Sequence, residues 1–142
     1  MMSSLNNVFD IAGSALVAET ARLTTSTSNM SNANVVTSNP DDTYKAQYPV
    51  FRTVQDEAQA WMDNQVKAGV EVSDIYESEA EALKQYDPNN PLADADGFVY
   101  APNINYVAEI ANIISASKAY QMNLEVINTS KQLIQRTLQL GQ

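Results

Sequence analysis

Residues 106–140, YVAEIANIISASKAYQMNLEVINTSKQLIQRTLQL, run for 35 residues without a Gly or a Pro. Within them, positions 106, 110, 113, 117, 120, 124, 127, 131, 134 and 138 read Tyr, Ile, Ile, Ser, Tyr, Leu, Ile, Lys, Ile and Leu. That 4-3 spacing, held for more than four heptads, is the seam pattern of a coiled coil. Asn105 stands where an N-cap is wanted, Glu109 falls in the first turn, and Gly141 marks the stop. A helix of this length spans roughly 50 Å. A compact globule of this chain length is only roughly 35–40 Å across. The apolar stripe therefore needs more cover than one globule offers.

A second helical pattern lies at the other end, from about Leu5 to about Thr27. Positions 5, 9, 12, 16, 19 and 23 read Leu, Phe, Ala, Leu, Glu and Leu, again on a 4-3 spacing. Val8, Ile11, Ala15 and Ala18 widen this stripe on one side. Taken alone it fits an amphipathic helix docked on a core as well as a coiled-coil partner. At roughly 35 Å it cannot hide the whole C-terminal stripe, and burial between chains is the economical solution. The seam residues expected at that interface are Leu5, Phe9, Leu16 and Leu23 with Tyr106, Ile110, Ile113, Tyr120, Leu124, Ile127, Ile134 and Leu138.

The first pattern dissolves into SNMSNANVVT, residues 28–37. Ser, Thr and Asn side chains compete for backbone hydrogen bonds, so the helix is expected to stop here. Two readings stand: a surface loop, or an irregular packed segment in which Asn29, Asn32 and Asn34 satisfy backbone groups at an assembly contact. Beyond it, NPDD (39–42) and DPNNP (87–91) are turn clusters. AQYPVFRTV (46–54), GVEVSDIYE (69–77) and GFVY (97–100) read as short strands. QDEAQAWMDNQV (55–66) fits a helical turn or a loop, with Trp61 as a packing anchor. The expected fold is thus mainly α with a small β-containing middle. Long terminal helices pair as a coiled coil, with short strands and loops between them. Its parts are 1–37 (helix and Asn-rich segment), 38–105 (acidic middle) and 106–142 (C-terminal helix).

Charge follows the same division. The chain carries a net charge of −9, and residues 41–105 account for all of it. The first 40 residues net −1 and residues 106–142 net +1. An acidic middle stays solvated and disfavours a nucleic-acid partner, whereas nearly neutral helices can pack against copies of themselves. No basic leader, signal-peptide core or stretch of about 18 apolar residues suggests targeting or membrane spanning.

Few routes to catalysis remain. There is no Cys and no His, which removes thiolate nucleophiles, disulfides, Ser-His catalysis and the commonest metal ligands. ADADG (93–97) lacks the first ligand and the closing Glu of a calcium loop, so a solvated turn is expected. Glu77, Glu79 and Glu81 alternate without an apolar surround, as a solvated charge run does. The chain reads as a non-enzyme without cofactor or metal.

Two stretches resemble the bacterial flagellar basal-body rod proteins. One is IAGSALVAETARLTTSTSNMSNANVVT (11–37), with its Ala-rich helix followed by Ser28, Asn29, Asn32, Asn34 and Thr37. The other is YDPNNPLADADGFVYAPNINYVAEIANIISASKAYQMNLEVINTSKQLIQRTLQLGQ (86–142), and GVEVSDI (69–75) is similar as well. The resemblance implies a structural subunit of the proximal rod, a drive shaft carrying torque from motor to hook and filament. Its implied partners are copies of itself, other rod proteins, and MS-ring and export-gate components. It also implies export by the flagellar type III apparatus, without signal-peptide cleavage, to a periplasmic rod. The competing reading is a coiled-coil structural or adaptor component of a non-flagellar secretion assembly.

Overall fold

The computed structural model describes residues 2–55 and 68–140. Trp61 with the stretch 56–66, and Gly141, lie outside the described residues. Two long helices, α1 (Met2–Asn32) and α2 (Tyr106–Leu140), flank a small β region. Its strands are β1 (Gln47–Gln55), β2 (Ala68–Glu77), β3 (Leu83–Tyr86) and β4 (Phe98–Ala101), with a 3-10 turn at Pro40–Asp42. The class is the one expected, mainly helical with a few strands.

Helix α2 begins where Asn105 predicts. The Asn105 Oδ1 accepts from the Ala108 N–H at 3.1 Å, and its carbonyl accepts from the Glu109 N–H at 3.0 Å. The first bond satisfies one of the orphan donors of a helix start, and the second is the first i→i−4 bond of the helix.

Helix α1 corrects an expectation. It does not stop near Thr27 but runs on through Asn29 to Asn32. Side chains that compete for backbone hydrogen bonds turn back along the helix instead. Thr20 donates to the Leu16 carbonyl at 2.7 Å, Thr25 to Arg22 at 3.1 Å, and Asn32 to Ser28 at 2.8 Å. Other elements take up Ser28 and Asn29, as described below. Propensity was overridden because the competing polar groups already had partners.

Strands β1, β2 and β4 appear within one residue of their expected positions. β3 was not anticipated, because LKQY has neither alternation nor β-branched residues. It pairs antiparallel with β4 in the register Leu83↔Ala101, Lys84↔Tyr100, Gln85↔Val99 and Tyr86↔Phe98. The far edge of β4 is bridged to Thr37, whose N–H and carbonyl both bond to Tyr100 at 2.9 Å. The Tyr86 and Phe98 rings meet edge to face at 5.2 Å, and the Lys84 ammonium lies 3.9 Å above the Phe98 ring.

The ADADG segment turns the chain into β4. Asp94 accepts from the Phe98 N–H at 2.8 Å, the Asp96 N–H at 3.0 Å and the Tyr100 hydroxyl at 3.1 Å. The bond from Phe98 is foremost in holding this carboxyl below its ordinary pKa. Gly97 sits at φ 81°, and an added Cβ would come within 3.0 Å of the Tyr86 ring. Both facts call for glycine.

The chain divides into two compact units, each drawing on both helices and the middle. The first comprises Met1–Ala21, Val50–Asp74 and Ser115–Gln142. In it, the Ser14 hydroxyl donates to the Ile11 carbonyl at 2.8 Å and accepts from the Val70 N–H at 3.1 Å, pinning β2 to α1. Gly69 permits that approach, since a Cβ there would lie 3.0 Å from Ser14 Oγ. Arg52 and Glu71 form an exposed cross-strand ion pair, worth at most about 1 kcal/mol. The second unit comprises Arg22–Pro49 and Ile75–Ile114 and holds the β3–β4 pair.

Large apolar side chains do not dominate the interior. The buried hydrophobic residues among those described are Ala12, Ala18, Ala46, Val99, Ala101 and Ala116. Among the described residues, the largest fully buried side chains are Glu109, Val99 and Asn29.

Candidate assembly interface

The three asparagines of the 28–37 segment meet different fates. Asn34 is exposed and Asn32 bonds back within α1, but Asn29 is completely buried in the second unit. Its Oδ1 accepts from the Gln47 N–H at 2.8 Å and from the Tyr44 hydroxyl at 3.0 Å. Its Nδ2 donates to the Gln47 carbonyl at 2.9 Å and to Glu109 Oε1 at 3.3 Å. One carboxamide thus engages the backbone donor and acceptor of the first residue of β1, as a neighbouring strand would. Ser28 Oγ adds a hydrogen bond to the Tyr44 hydroxyl at 3.0 Å.

Glu109 completes this hub from the first turn of α2. It is 2 % exposed, and its Oε2 is buried with no hydrogen-bond partner among the described residues. The amide dipoles of the α2 N-terminus supply positive potential there. Burial, and after it the Glu109 charge, push the Tyr48 hydroxyl above its ordinary pKa.

Further along α2, the covered face follows Glu109, Ile113, Ala116, Tyr120, Asn123, Ile127, Ser130 and Ile134, also on a 4-3 spacing. Of these, Ala116 is fully buried and Ser130 is 6 % exposed, while Ile113, Tyr120, Ile127 and Ile134 are half-buried. The sequence-derived seam shares those four large residues. Its other members, Tyr106, Ile110, Leu124 and Leu138, are all exposed. Besides Glu109, the deepest positions are Ala116 and Ser130, whose small side chains permit close packing. The spacing of 116, 123 and 130, seven residues apart and all small or polar, was the available signal for them.

On α1, Phe9, Leu16 and Leu23 are half-buried, and Leu5 lies in the first turns of the helix. The deepest positions are Ala12, Ala18, Thr25, Ser26 and Asn29. Ser14, Tyr44, Gln47 and Tyr48 carry no sequence signal, because a contact with a residue far along the chain leaves no periodic trace.

Helix α2 leaves several large apolar side chains in solvent. Val107, Ile114 and Met122 are 75 %, 63 % and 60 % exposed, and Val126 and Leu133 are exposed beside them. Contiguous exposed apolar side chains mark surfaces that another molecule covers. The described residues include no cluster of three or more metal-ligating side chains and no helix long and apolar enough to cross a membrane.

Comparison with known proteins agrees. Residues 95–140 match the family described as flagellar basal body rod FlgEFG protein C-terminal. The chain is 45 % identical over 139 residues to the flagellar basal-body rod protein FlgC of Salmonella typhimurium, covering 98 % of this chain and 99 % of that one. It is 46 % identical to the FlgC of Yersinia enterocolitica over the same shares. The FlgC of Buchnera aphidicola subsp. Acyrthosiphon pisum is 36 % identical over 141 residues, again across 98 % and 99 % of the two chains. The chain belongs to the FlgC family of flagellar basal-body rod proteins. These relatives are named as flagellar basal-body rod proteins, and none supports a non-flagellar secretion adaptor.

Proposed function

We propose that the chain is a structural subunit of the flagellar proximal rod, which polymerises and transmits torque from motor to hook and filament. The observation that carries this reading is near-end-to-end similarity to FlgC proteins in a chain whose longest helix leaves Val107, Ile114 and Met122 in solvent. Open-ended contacts between unlike faces of identical subunits generate helical polymers, and interlocked helices resist twisting because close packing does not yield gradually.

Pairing of α1 with α2 fits this role. Each compact unit contains a stretch of both helices, and the Asn29–Glu109 contact joins the end of one to the start of the other. In the assembly, the half-buried residues Phe9, Leu16, Leu23, Ile113, Tyr120, Ile127 and Ile134 serve contacts within the subunit. The exposed Tyr106, Ile110, Leu124 and Leu138 meet neighbours. Those neighbours are copies of this chain and other rod proteins, with MS-ring and export-gate components at the base. Export by the flagellar type III apparatus delivers the chain to the periplasmic rod.

Electron microscopy of purified basal bodies is the deciding experiment. Density that fits α1 and α2 is expected within the rod next to the MS ring. Basal bodies with a complete rod but without this chain would refute the reading.

A further inference from the structure

One reading of the sequence places Asn29 at a contact between subunits, whereas in the structure it packs within its own chain. It is fully buried, and each of its four hydrogen bonds ends on a residue of its own chain. Those partners come from separate parts of the second unit: the loop before β1, the first residue of β1, and the first turn of α2. We propose that Asn29 is an internal positioning residue. Its carboxamide acts as a one-residue substitute strand for Gln47 and fixes the end of α1, the root of β1 and the start of α2 in one mutual register. On the rod reading above, it governs assembly through the geometry of its own subunit and touches no neighbouring one.

The chemistry restricts what can stand there. A carboxamide presents one acceptor and one donor side by side, which is what a strand residue offers its neighbour. Aspartate keeps the acceptor for the Gln47 N–H and the Tyr44 hydroxyl. It then turns a second oxygen toward the Gln47 carbonyl and Glu109 Oε1, where both meetings are repulsive. Alanine leaves the Gln47 N–H and carbonyl without partners. Helix α1 accepts a poor helix former at this position because the tertiary hydrogen bonds outweigh local propensity.

The test uses the isolated full-length chain and its Asn29→Ala, Asn29→Asp and Asn29→Asp/Glu109→Gln variants. Amide exchange should show a slow Gln47 N–H in the wild type, faster by roughly tenfold or more in Asn29→Ala. The Gln85 and Val99 amides of the β3–β4 pair should keep their wild-type rates. Asn29→Asp should lower the melting temperature, and adding Glu109→Gln should recover part of the loss by restoring a donor between the two side chains. Unchanged Gln47 exchange in Asn29→Ala would overturn the proposal. So would equal acceleration at Gln85 and Val99, since Asn29 would then only keep the unit folded. A double variant no more stable than Asn29→Asp would break the link to Glu109. In cells, Asn29→Ala should be exported yet fail to build rods, and normal swimming would overturn the role in assembly. Failure of the rod reading is a separate outcome, seen as absence of the wild-type chain from basal bodies.

Discussion

Helices α1 and α2 carry apolar patterns of the same 4-3 spacing but show solvent different things. Among the described side chains of α1, those exposed are Asp10, Ile11, Val17, Thr20, Thr24, Thr27 and Ser31, mostly small and polar. The exposed side of α2 includes Val107, Ile110, Ile114, Met122, Val126 and Leu133. The chain's own middle occupies much of α1, which receives β2 at Ser14 and β1 at Asn29. Helix α2 has one face covered by the chain and another left bare. The contrast separates a helix whose exposed residues are mostly polar from one that keeps large apolar side chains in solvent. An amphipathic pattern alone cannot distinguish the two, because burial within a chain and burial between chains select the same residue types.

The strongest way to break this comparison is to put a charge on the covered face of α2. Ile113→Asp buries a carboxylate beside Ala116 and Tyr120 with no base in the stripe, and should destabilise the isolated chain by about 2–4 kcal/mol. Urea unfolding measures the loss, and cells carrying the variant should not swim. A neighbouring substitution sharpens the point. Ile114 is 63 % exposed, so Ile114→Asp should change the isolated chain's stability by less than about 0.5 kcal/mol. It should nonetheless stop rod assembly. An Ile114→Asp strain that swims like wild type would mean that the bare face of α2 faces water in the rod as well.

A smaller effect distinguishes the hub from both helix faces. The Tyr48 hydroxyl has a folded-state pKa above its ordinary value of 10.0, through burial and then the Glu109 charge. Its neutral form is therefore favoured by folding. The associated stability is intact below pH about 10 and is lost as pH rises from there through the raised folded value. Tyr48→Phe should remove this component, so its melting temperature should fall less steeply than that of the wild type above pH about 10. Parallel alkaline melting curves would show that Tyr48 does not titrate against the hub. The smallest effect belongs to the acidic middle. Glu79 is exposed, so Glu79→Lys should shift stability by less than about 0.5 kcal/mol and leave swimming near normal.

Much of the architecture was legible beforehand. The uninterrupted run from Tyr106 to Leu140, its Asn105 cap and three of the four strands are written in local propensity and periodicity, which act over a few residues and need no partner. The exclusion of Cys and His chemistry is equally a property of the sequence. Other features depended on contacts between residues far apart in the chain. Helix α1 extends through Ser28 and Asn29 because Tyr44, Gln47 and Glu109 meet the side chains that would otherwise unwind it. β3 exists because β4 lies beside it. The phase of α2 belongs here too. One line runs through Ile110, Ile113 and Leu124, another through Glu109, Ile113 and Ala116, and both satisfy the same 4-3 spacing. Periodicity fixes the interval between buried residues. Which of two adjacent lines is buried depends on where close packing is possible, and that is settled by Ala116 and Ser130 in three dimensions.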